Sequence, residues 1–143
     1  MAYSVKNYMR KDISTIGDRA SVTEAAKAMS KSGRGFLIIL KDGQPAGIVT
    51  EHDLVNKIIA SEKDPNKVLV AEIMSSPLIT IDPDEDLLKA SELMQKHNIR
   101  RLPVVKNGII YGVLTARDIA KGFVTYVNKA TRDIIRWSAL PFR

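Results

Sequence analysis

An internal repeat with a period of 65 residues constrains this chain more than any other feature of its sequence. Residues 5–54 align with residues 70–119 without a gap, and thirteen of the fifty aligned pairs are identical. Chance would give roughly three identities at average composition. A half-unit of about fifty residues would be marginally stable alone, so the repeat predicts two copies of one fold packed into a single domain.

The most distinctive repeated stretch is Gly-Val-Leu-Thr-Ala-Arg-Asp at residues 112–118, which matches Gly-Ile-Val-Thr-Glu-His-Asp at residues 47–53. Residues typical of a strand end run into Thr115, Arg117 and Asp118, which can open a helix. Such a corner presents a hydroxyl, a guanidinium and a carboxylate beside free backbone N–H groups, a combination suited to holding a phosphate and a ribose. A single copy would be read as an ordinary helix cap, and the second copy is what points to a function.

The pattern within each half is that of a mixed α/β unit. The first half predicts an extended segment at residues 13–16, a helix from Ser21 to Gly33, strands at 36–40 and 46–49, and a helix over 51–61. The second half predicts an extended segment at 77–81, a helix after the acidic cluster 82–86, and strands at 102–105 and 110–114. Pro103 belongs at a strand edge, because proline cannot donate a ladder hydrogen bond. Beyond Asp118 we expect a helix to Gly122 and a separate amphipathic helix over residues 123–137.

The acidic cluster of residues 82–86 is interpreted as helix capping. The alternative is a calcium-binding loop, which needs Gly at its sixth position and Glu at its twelfth. This chain has Leu87 and Leu93 at those positions, so we predict no metal site.

Composition places the chain among ordinary globular proteins, with 45% hydrophobic and 27% charged residues in 143. It contains no cysteine, which excludes disulfides and thiolate chemistry. It has neither an apolar run long enough to span a membrane nor a signal-peptide core, so we expect a cytoplasmic protein without a membrane partner. The formal charge of +6 favours anionic ligands.

Catalysis is not indicated by the residues available for it. The only imidazoles are His52 and His97, and neither a Ser-His-Asp set nor a phosphate-binding glycine loop is present. We therefore predict no catalytic residues and no enzyme activity.

Nucleic-acid binding is the alternative function, prompted by the net charge and by Lys129, Arg132, Arg136, Trp137 and Arg143. It lacks a recognisable binding motif, and aromatic content is only 6%.

The order extended segment, helix, strand, strand, helix, with Gly-h-h-Thr-x-x-Asp at the last junction (h, apolar), closely resembles the cystathionine-beta-synthase-type (CBS) domain. Two in tandem resemble a CBS pair, or Bateman module, over about residues 5–122. The resemblance implies two βαββα repeats related by a pseudo-twofold axis, with small sheets packed against helices. It also implies a first repeat over 1–64, a second over 65–125, and a C-terminal helical tail over 126–143.

Members of this family commonly bind adenosine-containing ligands in two clefts between the repeats, so the resemblance implies a regulatory sensor of energy state. The ligand would be AMP, ADP, ATP or S-adenosylmethionine, and no catalytic cofactor is implied. One cleft would be formed by Thr115, Arg117, Asp118, Arg101, Ile13, Ser14, Gly35 and Phe36. The other would be formed by Thr50, His52, Asp53, Pro77, Leu78, Ile99 and Arg100. The aspartates would bind ribose hydroxyls, and Arg117 and Arg101 would bind phosphates.

The two clefts are not expected to be equivalent, because His52 stands where the other repeat has Arg117 and is mostly neutral at pH 7. We therefore expect nucleotides to prefer the Asp118 cleft. We also expect a homodimer through the helices that follow the two motifs, since both carry apolar residues, and an effector protein of unknown identity. These apolar residues are Leu54, Val55, Ile58, Ile59, Ile119, Phe123 and Val124.

Overall fold

A computed structural model describes the backbone of residues 3–138 and the side chains of residues 3–136. In order, the elements are a 3-10 turn (Val5–Asn7), β1 (Thr15–Gly17), α1 (Val22–Ser32), β2 (Phe36–Lys41), β3 (Gln44–Thr50), α2 (Glu51–Asp53, continuing as a π-helix over Leu54–Ile59), α3 (Val70–Ile73), α4 (Leu87–His97), β4 (Arg101–Lys106), β5 (Ile109–Thr115) and α5 (Ala116–Ser138). The pairs α1 and α4, β2 and β4, and β3 and β5 each begin 65 residues apart. The predicted mixed α/β fold with two equivalent halves is confirmed.

Capping residues set the ends of the two long helices that precede the hairpins. Ser21 accepts a hydrogen bond from the Glu24 N–H at 3.1 Å, and Asp86 caps the second copy in the same way. At the other end, Gly33 and Asn98 adopt left-handed conformations with φ of 71° and 53°. Both residue types tolerate this conformation, so each helix ends there, and the first ends at Gly33 as predicted.

The short turn that opens each half packs into the core of the other half. Val5 is fully buried in the hydrophobic core of the second half, and Val70 is fully buried in the core of the first. The Val5 N–H donates to the Glu85 carbonyl at 2.7 Å, and the Val70 N–H donates to the Ala20 carbonyl at 2.8 Å. Because each half supplies the turn that completes its neighbour's core, the two halves fold as one body.

The two sheets face each other across a third apolar cluster. Along β2, Leu37 and Ile39 point into the core of the first half, whereas Phe36 and Ile38 point toward the second half and pack against Val113. This alternation explains why the strand is a continuous apolar run, since both of its faces are buried.

Pro103 makes the two sheets unequal. In the first half, the Ile38 N–H donates to the Ser14 carbonyl at 3.0 Å, and β1 joins β2 in a three-stranded sheet. Pro103 occupies the position equivalent to Ile38 and has no N–H to donate. The second extended segment is accordingly reduced to a single bridge at Ile81, so the second sheet has two strands. Pro103 thus lies at a strand edge, as predicted.

The predicted division of the last helix at Gly122 is wrong. A helix ending at Gly122 and a second helix from residue 123 were predicted, but α5 is continuous over Ala116–Ser138. A methyl group at Gly122 would lie 2.6 Å from Leu87 Cδ1 and 3.1 Å from Tyr8 Cε1. Glycine is therefore present because α5 passes close to its neighbours, and it costs only about 1 kcal/mol of helix propensity.

The predicted C-terminal tail is described only in part. The Trp137 side chain, Arg143 and the rest of residues 139–143 lie outside the described residues. Within residues 3–138, no helix combines the length and the apolar content needed to cross a bilayer.

The motif glycines allow the exchanged segments to cross the hairpins. A methyl group at Gly112 would lie 2.2 Å from the backbone oxygen of Arg10, and one at Gly47 would lie 2.8 Å from that of Ser75. Arg10 and Ser75 each exchange two backbone hydrogen bonds with the strand residue after the glycine. The glycine that opens the repeated motif is therefore needed because the exchanged segment passes so close to the strand backbone.

We predict that Gly112→Ala lowers the free energy of unfolding by roughly 1–3 kcal/mol, because the added methyl group must displace backbone. Gly17→Ala is the matched control, since a methyl group there meets no atom within 4 Å. It should be neutral or slightly stabilising. Urea unfolding of the two variants measures the difference, and equal midpoints would show that the close crossing imposes no constraint at Gly112.

Three charged side chains fasten the first exchanged turn to the second half. Lys6 Nζ lies 2.9 Å from Asp84 Oδ1, and Lys106 Nζ lies 2.8 Å from Asp84 Oδ2. The hydrogen bond from Lys106, followed by that from Lys6, lowers the pKa of Asp84 to about 2 from an ordinary value of 3.8. All three groups are about half exposed, so their attraction is screened by salt.

This triad should make stability depend on pH in the acid range. Since the folded-state pKa of Asp84 lies below 3.8, its contribution is complete above that pH and is lost as the pH falls toward about 2. We expect the stability difference between the wild type and Asp84→Asn to shrink over this interval. Urea titrations at several pH values test this. A difference that stays constant would mean that the ion pairs do not contribute.

Candidate functional site

The corner between β5 and α5 is held by two side chains that cap each other's backbone. Asp118 Oδ2 accepts a hydrogen bond from the Thr115 N–H at 2.9 Å, and Thr115 Oγ1 accepts one from the Asp118 N–H at 3.2 Å. This reciprocal capping requires a spacing of three residues, which explains the Thr-x-x-Asp motif. Asp118 is only 5% exposed, and its second oxygen, Oδ1, accepts a long hydrogen bond of 3.5 Å from Arg10 Nε.

The equivalent corner between β3 and α2 is built in the same way. The Thr50 N–H donates to Asp53 Oδ2 at 2.8 Å, and Asp53 is 7% exposed. Its other oxygen has a different partner, because Lys57 Nζ lies 3.0 Å away on the same helix. The Lys57 ammonium also donates to the Ile73 carbonyl at 2.7 Å, so it is fixed in place.

A cavity of about 440 Å³ opens beside the Asp118 corner, between the two halves. One part of its wall comes from the starts of β4 and α5, and the other comes from the first exchanged segment and the α1–β2 junction. The lining residues are Arg10, Asp12, Gly33, Arg34, Gly35, Phe36, Arg100, Arg101, Val113, Thr115, Ala116 and Arg117. This volume is within the range typical of small-molecule sites.

The structure brings together many residues that the resemblance assigned to the Asp118 cleft. Those that line the cavity are Thr115, Arg117, Arg101, Gly35 and Phe36. Asp118 is buried and hydrogen-bonded to Thr115, which lines the cavity. Ile13 packs in the cluster between the sheets, and Ser14 contributes its carbonyl to β2. Arg100 was assigned to the other cleft, and the structure places it in the wall of this one.

Five guanidinium groups make the cavity strongly positive. Arg10 Nε lies 3.5 Å from Asp118 Oδ1, and Arg34 pairs with Asp12. Arg101 stacks on the Phe36 ring, with 5.1 Å between the guanidinium carbon and the ring centroid. Among the described residues, no carboxylate forms an ion pair with the three remaining arginines, namely Arg100, Arg101 and Arg117.

Sequence reasoning missed Arg10, Asp12 and Arg34. They lie outside the repeated motif. Arg10 and Asp12 reach the cavity because the first segment crosses to the second half, and Arg34 reaches it from the α1–β2 junction, where it pairs with Asp12. The available signal was their position beside Ile13 and Gly35, which the resemblance had already placed in this cleft.

The residues assigned to the Asp53 cleft are more dispersed. Leu78 packs in the cluster between the sheets, Ile99 packs against the core of the second half, and Pro77 and His52 are exposed. The Glu51 carboxylate lies beside Gly35, and Glu51 replaces the Ala116 of the other corner. The Asp53 corner therefore carries Glu-His where the Asp118 corner carries Ala-Arg.

No cluster of three or more histidine, aspartate or glutamate side chains suited to a metal ion occurs within the described part of the chain. The arginine-lined wall is instead suited to anions, because guanidinium forks match phosphate oxygens.

Two α/β half-units that exchange their first turns and enclose a basic cavity define a duplicated module with the repeat that the sequence indicated. The chain belongs to the CBS domain family, whose model matches it twice, at residues 5–60 and 70–125. The tandem CBS pair suggested by the sequence is confirmed. Proteins of this family are generally regulatory modules.

Individual relatives support this assignment. An uncharacterized protein from Methanopyrus kandleri is 38% identical over 118 residues, covering 81% of this chain and 60% of the relative. The CBS domain-containing protein YhcV of Bacillus subtilis is 32% identical over 82% of this chain and 83% of its own length. A hexameric CBS-CP12 protein from bloom-forming cyanobacteria superposes with a TM-score of 0.75 at 31% identity, covering 82% of this chain and 69% of that one. These relatives give no support to the nucleic-acid-binding alternative.

Proposed function

We propose that this protein is a regulatory module that binds an adenosine-containing ligand in the cavity beside Asp118. The observation that carries the proposal is a buried carboxylate, that of Asp118, at the edge of an arginine-lined cavity of about 440 Å³. Such a carboxylate can accept hydrogen bonds from ribose hydroxyls. AMP, ADP and ATP each combine a ribose diol with a phosphate anion and fit this chemistry. S-adenosylmethionine carries a positive charge near its ribose and fits it less well.

The ligand's polar groups have partners already in place. Its phosphates would face Arg117 and Arg101, close to the N-terminal turn of α5, whose dipole also favours anions. Each guanidinium–phosphate contact contributes about 1.5–3 kcal/mol. The ribose hydroxyls would donate to Asp118 Oδ1, which would continue to pair with Arg10 at 3.5 Å. The base would extend toward the apolar side chains between the sheets.

The Asp53 corner is a poorer phosphate site. Glu51 adds a negative charge where the other corner has Ala116, and His52 replaces a permanently charged arginine. Lys57 also occupies the free oxygen of Asp53 at 3.0 Å. We therefore assign the nucleotide to the Asp118 cavity and expect the Asp53 corner to bind weakly or not at all.

We infer a binding role and not an enzymatic one. The carboxylates at the cavity are engaged, Asp12 by Arg34 and Asp118 by Arg10 and the Thr115 N–H. His52 and His97 are exposed, and neither is among the residues lining the cavity. The cavity thus offers groups that hold an anion and no evident base to start a reaction.

Calorimetric titration with ADP at low salt tests this assignment. Asp118→Ala should weaken binding by about tenfold or more, because the ribose loses a charged acceptor. Asp53→Ala is the matched control, since Asp53 caps its own helix through the same hydrogen bond. It should leave affinity within about threefold of the wild type, a change of under about 1 kcal/mol.

Circular dichroism of both variants would establish that the helices remain. Equal losses of affinity in the two variants, or a larger loss in Asp53→Ala, would place the nucleotide elsewhere and refute the assignment. Absence of binding by any adenosine compound to the wild type would refute the proposed function itself.

We also propose that the protein self-associates through α2 and α5. Of the apolar residues expected at this interface, Leu54, Ile58 and Ile119 pack against the cores of their own halves. The others remain exposed, with Ile59 at 71% and Phe123 at 63%. Farther along α5, exposed Val127, Ile134 and Ile135 continue the apolar surface. Such a surface is unusual on a monomer. The hexameric cyanobacterial relative supports self-association.

Light scattering across micromolar concentrations should give a mass of at least two chains for the wild type. Val124→Glu, on the exposed apolar side of α5, should shift the protein toward the monomer. Thr125→Glu adds the same charge at an exposed position one residue on and should leave the mass unchanged. A monomeric wild type would exclude this proposal.

A further inference from the structure

We propose that the cavity beside Asp118 selects its ligand by phosphate number and takes nucleotides with two or more phosphates in preference to monophosphates. This inference rests on the proposed function and concerns the same site. It follows from the balance of charges in the cavity wall and from where the unbalanced charges lie.

Two of the five guanidinium groups are already neutralised within the protein. Arg10 is paired with the buried Asp118, at 3.5 Å, and Arg34 is paired with Asp12. Arg100, Arg101 and Arg117 have no carboxylate partner among the described residues. Three guanidinium groups of the cavity wall are therefore not compensated by an ion pair within the described part of the chain, and the Glu51 carboxylate beside Gly35 is a nearby negative charge that forms none with them.

A monophosphate cannot balance this charge. A terminal phosphate carries about 1.5–2 negative charges at pH 7, and each additional phosphate in a chain adds about one more. AMP would leave at least one guanidinium without an anion, ADP would come close to balance, and ATP would supply a small excess. Since arginines held together repel one another, the largest gain in affinity comes from the ligand that compensates all three.

The three arginines come from two neighbouring elements, which favours an extended anion over a compact one. Arg101 is the first residue of β4, Arg100 immediately precedes it, and both line the cavity. Arg117 lies in the first turn of α5, and the Ala116 N–H joins the two elements by donating to the Arg100 carbonyl at 2.8 Å. The Phe36 ring orients Arg101. A chain of phosphates can reach guanidinium groups on both elements.

The test is a calorimetric series with adenosine, AMP, ADP and ATP, with inorganic tripolyphosphate as a competitor. Affinity should rise by about tenfold or more from AMP to ADP and should not fall for ATP. Raising the salt concentration from about 50 to about 200 mM should weaken the binding of ATP more than that of AMP, because ATP makes more ion contacts that salt can screen. Tripolyphosphate should displace ADP.

Two variants test whether the cavity arginines cause the preference for ADP over AMP. Arg117→Gln and Arg100→Gln should each reduce the ratio of ADP to AMP affinity by about threefold or more while leaving adenosine binding unchanged. Arg132→Gln removes the same charge from an exposed position on α5 outside the cavity and should leave the ratio at its wild-type value. All three positions are exposed, so folding should be retained.

The possible failures are distinguishable. If AMP and ADP bind with affinities within about threefold of each other, selection by phosphate number is wrong and the proposed adenosine site stands. If the ratio is high but Arg132→Gln lowers it as much as Arg117→Gln does, the preference reflects overall charge and the cavity assignment is wrong. If no nucleotide binds at all, the proposed function has failed.

Discussion

The exchange of the first turns between the two halves is the constraint on which the rest of the structure depends. Val5 and Val70 are each fully buried in a core made otherwise by the opposite half. Fully burying a valine side chain contributes about 1.5–3 kcal/mol, a large share of the stability expected for a half-unit of this size. The same exchange carries Arg10 across to β5, where its backbone pairs with Val113 through two hydrogen bonds of 2.9 Å.

The cavity is a by-product of this crossing. Where the first segment passes over β5, Gly112 removes the side chain that would block it, and the Arg10 side chain turns toward Asp118. The adjoining segment places Asp12 against Arg34 at the end of α1. Packing that stabilises the fold thus also fixes the positions of the Arg10 and Arg34 side chains in the cavity wall.

One scaffold used twice has given two corners of different chemistry. The capping of Thr115 by Asp118 and of Thr50 by Asp53 is nearly identical, because the helix start requires it. The residues between are free of that requirement and have diverged to Ala-Arg in one copy and Glu-His in the other. Lys57, which binds Asp53, has Gly122 as its counterpart 65 residues later. Glycine is needed there because α5 passes within van der Waals contact of Tyr8 and Leu87.

The sequence alone determined the duplication, because the 65-residue repeat aligns without a gap. It also determined the order of the elements and the two capped corners, because these depend on local patterns such as the three-residue spacing from Thr115 to Asp118 or the apolar run of β2. It also indicated, through Pro103, that one strand would lie at an edge. It predicted wrongly that Gly122 would end a helix, because propensity is a weak term that packing overrides. Only the tertiary structure decided which half each first turn completes and how the two sheets face each other, and hence that Arg10 and Arg34 join Arg100, Arg101 and Arg117 around one cavity. Residues separated by about a hundred positions leave no periodic trace in the sequence, and their contacts exist only once the exchanged segments have crossed.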